Sequence, residues 1–314
     1  MTEPFSFCST SSREAEEQLF GTATRADYWL ALEVPQAWGK KAFEDSDLPA
    51  AVKARLDEVL QGRPNARLQL IKRGGAFDGE GIAFFVAVNH EEQPNLYEFR
   101  LERYEDLLTL DIPGIFAERE AFWAHDRKAP LFLVCTNGKR DACCAKFGLP
   151  VYEAFQAYAG EEAWQTTHFG GHRFAANVVT LPHGVFYGYL TAEDVPTIVD
   201  AQRAGTVNLP RSRGRACYEE HVQAAETFLR QRTGLLELYR FKLIEIQALT
   251  PDEWTFHFGD LRTGQTYCVQ VRREPAPVPV LKSCGEARPS QLTRFVLVDY
   301  GEYGAVGTYE GETG

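Results

Sequence analysis

The sequence predicts an α/β fold in which one order of elements is used twice, followed by a small antiparallel β unit. Three observations carry that expectation. Strand-like and helix-like runs follow one another as strand, helix, strand, strand, strand, helix over residues 28–110. The order strand, helix, strand, hairpin, helix returns over residues 131–205. Beyond residue 237 only strand-like runs remain.

In the first half, residues 28–34 (YWLALEV) read as a strand that Pro35 ends. Leu48, Val52, Leu56 and Val59 recur at helical spacing, and Gly62 and Pro64 close that helix. Ala66–Lys72, Ile82–Val88 and Asn95–Leu101 are strand-like runs divided by turn-rich segments, with a helix-like stretch at 104–110. The glycine-rich stretch 74–81 fits no phosphate-binding fingerprint and precedes a strand, so it reads as a hairpin loop. In the second half, residues 131–134 (LFLV) form a short strand leading into Cys135. Residues 150–160 read as a helix with proline in its first turn and glycine at its stop. Another strand is expected at 164–167, then a hairpin of 177–181 and 185–190 turned by Pro182, His183 and Gly184. Thr191 with Asp194 makes a capping-box start for a helix whose inner face is Val195, Ile198 and Val199. This order matches a thioredoxin-like module, and its recurrence suggests tandem duplication. A basic link at 210–215 leads to a helix at 217–232, and strands follow at 237–248, 253–258, 266–272 and 294–299. The proline-rich PAPVP at 275–279 interrupts them as a loop or edge.

The net charge of −11 argues against nonspecific attraction to nucleic acid or an anionic membrane, and favours basic or neutral partner surfaces. A hydrophobic fraction of 44% and a charged fraction of 25% suit a soluble chain with ample core. Residues 1–20 show neither a basic nor an apolar segment, so no secretory leader is expected. The longest purely apolar run, Ile82–Val88, is far short of the roughly 18 residues of a membrane span. The expectation is a cytoplasmic protein without a membrane partner. Its cysteines number seven, an odd count that fits thiol or metal chemistry in a reducing compartment better than a disulfide framework. No C-x-x-C is present.

Two segments stand out: Cys-Thr-Asn-Gly-Lys-Arg-Asp-Ala-Cys-Cys at 135–144 and His-Phe-Gly-Gly-His-Arg-Phe at 168–174. The first leaves the end of a core strand as a polar loop and carries thiols at both ends. The second sets two imidazoles four positions apart, with glycines between them that resist helix and let backbone approach a bulky ligand. Thiolates and imidazoles together suit zinc, copper and iron, an iron–sulfur cluster among them. The eight residues between Cys135 and Cys144 exceed the about two to four of most structural zinc sites, yet spacing alone leaves the choice open.

The pattern C-x8-C followed by H-x-G-G-H resembles the sucrase/ferredoxin-like family. Gly21-Thr22-Ala23, residues 29–33, Trp38-Gly39, Arg173-Phe174-Ala175, the Leu-Pro-x-Gly turn at 181–184 and Ser283-Cys284-Gly285 also resemble bacterial members, so the likeness covers most of the chain. The resemblance implies a thioredoxin-like ferredoxin module with a [2Fe–2S] cluster, Cys135 and Cys144 on one iron, His168 and His172 on the other. It implies one-electron chemistry with a redox partner protein or a small redox molecule. Imidazoles in place of two thiolates would raise the potential relative to all-cysteine ferredoxins, and reduction would fall on the histidine-bound iron.

The chain divides on this reading into an N-terminal α/β domain (1–128), a ferredoxin-like domain (129–210) and a C-terminal helix with a β unit (211–314). A zinc-stabilised structural or interaction module is the alternative. A hydrolase acting on sucrose, suggested only by the family's name, needs a pair of carboxylates that no motif marks. Thiol–disulfide exchange by Cys143 and Cys144 is disfavoured because vicinal cysteines form strained bridges. Cys143 reads as a partly buried free thiol, Cys8, Cys217 and Cys268 as inert thiols, and Cys284 as a family position without an assigned role. Arg140, Asp141 and Arg173 flank the ligands, either supporting them or as solvated surface charges. His221 reads as a helix-face histidine, and His90, His125, His183 and His257 as isolated ones.

Overall fold

The structure is a computed structural model that describes residues 7–74, 81–117 and 119–303. A short helix, α1 (Cys8–Glu14), precedes β1 (Tyr28–Glu33), α2 (Ala50–Gln61), β2 (Ala66–Lys72), β3 (Ile82–Val88), β4 (Asn95–Leu101) and α3 (Ile112–Ala117). The second half holds β5 (Leu131–Cys135), α4 (Ala142–Ala159), β6 (Ala163–Thr166), β7 (Val178–Leu181), β8 (Val185–Tyr187) and α5 (Val195–Arg203). After β9 (Ser212–Arg215) come α6 (Glu220–Thr233) and β10 (Phe241–Thr250), β11 (Glu253–Asp260), β12 (Thr266–Pro275) and β13 (Thr293–Tyr303).

Nine strands form one mixed sheet in the order β4-β3-β1-β2-β6-β5-β7-β8-β9, and four form an antiparallel sheet in the order β10-β11-β12-β13. The two halves of the large sheet repeat one arrangement. β1 runs parallel to β2 and antiparallel to β3, as β5 does to β6 and β7. Only two residue pairs, Ile71 with Thr166 and Lys72 with Gln165, stitch β2 to β6 where the halves meet. Trp29 on β1 and Phe186 on β8 have ring centroids 5.9 Å apart, although five strand positions would separate them by about 24 Å in a flat sheet. The sheet is therefore folded over, and the halves share one apolar face that includes Trp29, Phe85, Leu133, Trp164 and Phe186. Helix α2 covers the outer face of the first half with Val52, Leu56 and Val59. Helices α4 and α5 cover that of the second.

Several local expectations need correction. The helix expected at 150–160 starts at Ala142, because Asp141 caps it; Pro150 lies inside and forgoes only the bond to the Lys146 carbonyl. The stretch at 104–110 is a 3₁₀ turn, Tyr104–Leu108, and α3 after it was not expected. The expected basic link at 210–215 is a buried strand, β9, whose Arg215 meets Glu226 at 3.2 Å; Arg230 holds the same carboxylate at 2.9 Å. That buried triad fixes α6 to the sheet. Helix α6 begins at Glu220, so Cys217 lies outside it, and His221 stacks on Trp254 at 4.8 Å. The glycine-rich loop falls mostly on 75–80, outside the described residues. The Thr191–Asp194 capping box forms as expected.

The small sheet packs its Phe256, Phe258, Val269 and Val271 against α6. Gln18 donates to the Phe295 carbonyl at 2.8 Å and accepts its N–H at 2.7 Å, tying β13 to the N-terminal segment. This contact brings the loop between β12 and β13 to the same end of the molecule as α1. Among the described residues, no helix is long and apolar enough to cross a membrane.

Candidate metal centre

Strand β5 is buried along its whole length, which sets Cys135 at its end with little freedom. The chain then turns through residues 136–141. The Asn137 side chain accepts the Arg140 N–H at 3.3 Å and donates to the Gly39 carbonyl at 3.2 Å. Asp141 starts α4 by accepting the Cys143 N–H at 2.9 Å, so Cys143 and Cys144 fall in the first helical turn, both fully buried. The helix crosses the strand end closely: a Cβ on Gly148 would stand 2.2 Å from the Cys135 carbonyl oxygen. The tip of the loop, Gly138, Lys139 and Arg140, is exposed as its polarity leads one to expect, while Thr136, Asn137 and Asp141 at its two ends are buried.

The H-x-G-G-H segment owes its shape to its glycines. Gly170 has φ of 111° and Gly171 of 72°, both in the region other residues avoid. Arg213, fully buried on β9, clamps this loop: its guanidinium donates to the Gly170 carbonyl at 3.2 Å, to Asn177 at 3.0 Å and to the Thr22 carbonyl at 2.6 Å. Asn177 donates in turn to the Gly171 carbonyl at 2.8 Å. Burial brings the Arg213 guanidinium down to about 9, where it is still a cation at neutral pH.

His168 Nδ1 lies 3.9 Å from Cys135 Sγ and 3.7 Å from Cys144 Sγ. These three donors form one group with every pair within 4.8 Å. The His168 and His172 ring centroids are 5.1 Å apart, but His172 Nδ1 faces away from that group, 3.4 Å from Asp141 Oδ2 and 3.6 Å from Cys8 Sγ. The structure therefore brings three of the four expected ligands together and puts the fourth beside them.

A second group was missed: Cys8, Cys143 and Cys284 with Asp141. Their sulfurs stand 3.5 Å (Cys8–Cys143), 3.2 Å (Cys143–Cys284) and 3.6 Å (Cys284–Cys8) apart. Cys8 and Cys284, separated by 276 positions, carry no motif that joins them, yet the structure brings both to Cys143. Asp141 is no solvated surface charge: it also accepts the Cys284 N–H and the Ser283 hydroxyl, each at 3.0 Å. Arg173 pairs with Glu17 at 2.7 Å instead of meeting a ligand.

The electrostatics suit ligation. A thiol hydrogen bond from Cys144 and the nearness of His168 bring Cys135 down to about 5 despite burial, while the Cys144 thiol, as donor, is pushed up. One proton is in effect shared by two sulfurs. Hydrogen bonds from Cys8 and from the Ser9 N–H bring Cys143 down to about 7, and Cys8 is raised in the same exchange. Burial, followed by the hydrogen bond to Asp141, pushes Cys284 up to about 12. Burial alone would raise Asp141, but hydrogen bonds from Cys284 and Cys143 outweigh it and hold the carboxyl ionised. Burial lowers His172 to about 4, so its imidazole is neutral, as a metal ligand must be.

Fold and site together define a mixed α/β protein in which buried thiols, imidazoles and a carboxylate converge as a candidate metal or cluster site at the end of a sheet. Within that class the chain belongs to the sucrase/ferredoxin-like family, whose pattern matches residues 19–214 and so includes Cys135, Cys144, His168 and His172. It is also 30% identical over 151 residues to "Altered inheritance of mitochondria protein 32" of Meyerozyma guilliermondii, a match covering 44% of this chain and 52% of that protein. The chain thus spans about half the length of that curated relative. No solved structure matches the chain.

Proposed function

We propose that the chain is a one-electron carrier whose [2Fe–2S] cluster is held by Cys135, Cys144, His168 and His172, in the second of two tandem thioredoxin-like modules. The observation that supports it most is the meeting of Cys135 and Cys144 with His168, and of His168 with His172, from segments 23 residues of chain apart. The repeated strand order of the two halves supports the tandem modules. When bound, such a cluster takes up and releases single electrons. The chain's own contribution is positional. Strand β5 and the first turn of α4 hold the sulfurs, the glycines and Arg213 hold the imidazole loop, and Asp141 Oδ2 stands 3.4 Å from His172 Nδ1, a placement that leaves Nε2 for a metal.

A depression of about 350 Å³ opens beside His168, with Lys40, Lys41, Arg140 and Glu44 among its lining residues. Its three cations contrast with the net charge of −11, so for this side we replace the basic or neutral partner surface expected from the whole-chain charge by a negatively charged redox protein or small redox molecule. The divisions at 128 and 210, a cytoplasmic setting and a carrier role in place of hydrolysis belong to the same proposal.

One observation favours a second reading. The 3.7 and 3.9 Å sulfur–nitrogen separations are close to the about 3.6 Å expected between donors around a single tetrahedral zinc ion. Protein purified without air and reduced with dithionite separates the two. The carrier reading expects about two irons and two sulfides per chain and a [2Fe–2S] EPR signal. The zinc reading expects a colourless protein, with zinc lost on changing Cys135.

A further inference from the structure

We propose a second metal site: a mononuclear, tetrahedral zinc site formed by Cys8, Cys143, Cys284 and Asp141, separate from the cysteine–histidine group. The three sulfurs form a nearly equilateral triangle with sides of 3.2, 3.5 and 3.6 Å. Thiolates around one zinc ion stand about 3.8 Å apart, so a small expansion of this triangle admits the ion. Asp141 Oδ1 closes the fourth vertex, 3.0 Å from Cys284 Sγ and 3.9 Å from Cys8 Sγ, against about 3.5 Å for oxygen and sulfur on one zinc. A [2Fe–2S] cluster places two ligands on each iron, so three thiolates all this close to one another fit a single ion better than a cluster.

Two alternatives fit less well. A disulfide uses two sulfurs and leaves the third in contact with no role, whereas an ion uses all three. Ordinary core packing and the cap on α4 account for the parts separately, but neither gathers three sulfurs around a carboxylate whose side chain is 1% exposed. Among the described residues that carboxylate has no lysine or arginine ion pair, and the His172 imidazole stands 3.4 Å from it. A buried anion packed against three sulfurs is a donor set that a divalent cation completes, with zinc replacing the thiol protons.

The placement gives the ion a task. Cys8 begins α1, Cys143 lies in the first turn of α4, and Cys284 belongs to the loop between β12 and β13. One ion would tie the N-terminal segment and the C-terminal sheet to the helix that carries Cys144. Cys8 and Cys284 both lie outside residues 19–214, so the site adds to what the family pattern describes.

The test is metal analysis of the full-length chain, purified without air from zinc-replete cells, beside Cys8→Ser, Cys284→Ser and Cys135→Ser. The expected result is about one zinc per chain in the wild type. Cys8→Ser and Cys284→Ser should each lose it while keeping iron, sulfide and far-ultraviolet circular dichroism. Cys135→Ser should do the reverse, losing iron and keeping zinc, so failure of the cluster reading would be seen separately. Should the serine variants not fold, wild-type protein from cobalt-grown cells gives the answer, because tetrahedral thiolate-bound cobalt absorbs intensely in the near ultraviolet and in the red. Zinc far below one per chain, zinc unchanged in both serine variants, or a disulfide between any two of the three cysteines in the anaerobic protein would each overturn the proposal.

Discussion

Asp141 Oδ2 lies 3.4 Å from His172 Nδ1, while Asp141 Oδ1 accepts the Cys143 N–H at 2.9 Å. One buried carboxylate therefore starts the helix that carries Cys144 and faces an imidazole of H-x-G-G-H. Its charge and its capping role are separable, because asparagine also caps helices.

Asp141→Asn should keep the cap of α4, but an amide nitrogen in place of one buried oxygen loses the Ser283 and Cys284 bonds, at an expected cost of about 1–3 kcal/mol in the metal-free chain. Removing a negative charge so close to His172 should raise the potential of the centre on the order of 50 mV. A redox titration of both proteins checks this. An unchanged potential would mean that the carboxylate does not act on the redox group.

Gly148→Ala puts a methyl group 2.2 Å from the Cys135 carbonyl oxygen, a backbone atom that cannot swing aside. Helix α4 must then move off the end of β5. The expected loss is about 2 kcal/mol or more by urea denaturation, together with less bound metal. Wild-type stability would show that the helix and strand end can separate freely.

Arg213→Met removes the buried donors that hold Gly170, Thr22 and Asn177. Leaving those acceptors unsatisfied should cost about 2–4 kcal/mol and loosen His168 and His172. Arg213→Lys should not restore stability, since an ammonium lacks the planar fork. Full rescue by lysine would mean that charge alone matters at this position.

His172 gives a pH dependence to the metal-free chain. Burial holds it near 4 in the folded state, against 6.5 for the free side chain. Between those values the unfolded chain binds more protons, so stability is complete above about pH 6.5 and falls as pH drops toward 4. His183, also brought to about 4 by burial, adds to the slope. His172→Gln should flatten part of it, as denaturation of the metal-free proteins at about pH 5 and pH 7 would show. An equal slope in the two proteins would place His172 in a solvated setting.

Much of this architecture was legible because the pattern and the burial agree. β2, β3 and β4 run over the residues that their apolar runs mark, and the inner face of α5 is Val195, Ile198 and Val199. The start of α4 was hidden because Pro150 resembles a first-turn proline, while the true start depends on the Asp141 side chain. β9 was hidden because its residues are Ser-Arg-Gly-Arg: two arginines are buried there only because carbonyls, Asn177 and Glu226 receive them. At the site, C-x8-C and H-x-G-G-H marked four residues, and three converge in one group. The cluster of Cys8, Cys143 and Cys284 was illegible because sequence spacing says nothing about segments joined only by tertiary packing.

Histidine ligation is the claim on which the electron-carrier account rests. The most direct measurement is electron–nuclear double resonance on dithionite-reduced protein, with and without nitrogen-15 histidine. The account predicts a [2Fe–2S] signal with strong couplings to two histidine nitrogens, one lost in His168→Cys and the other in His172→Cys. A cluster signal with no histidine coupling, or zinc in place of iron at Cys135 and Cys144, would contradict it.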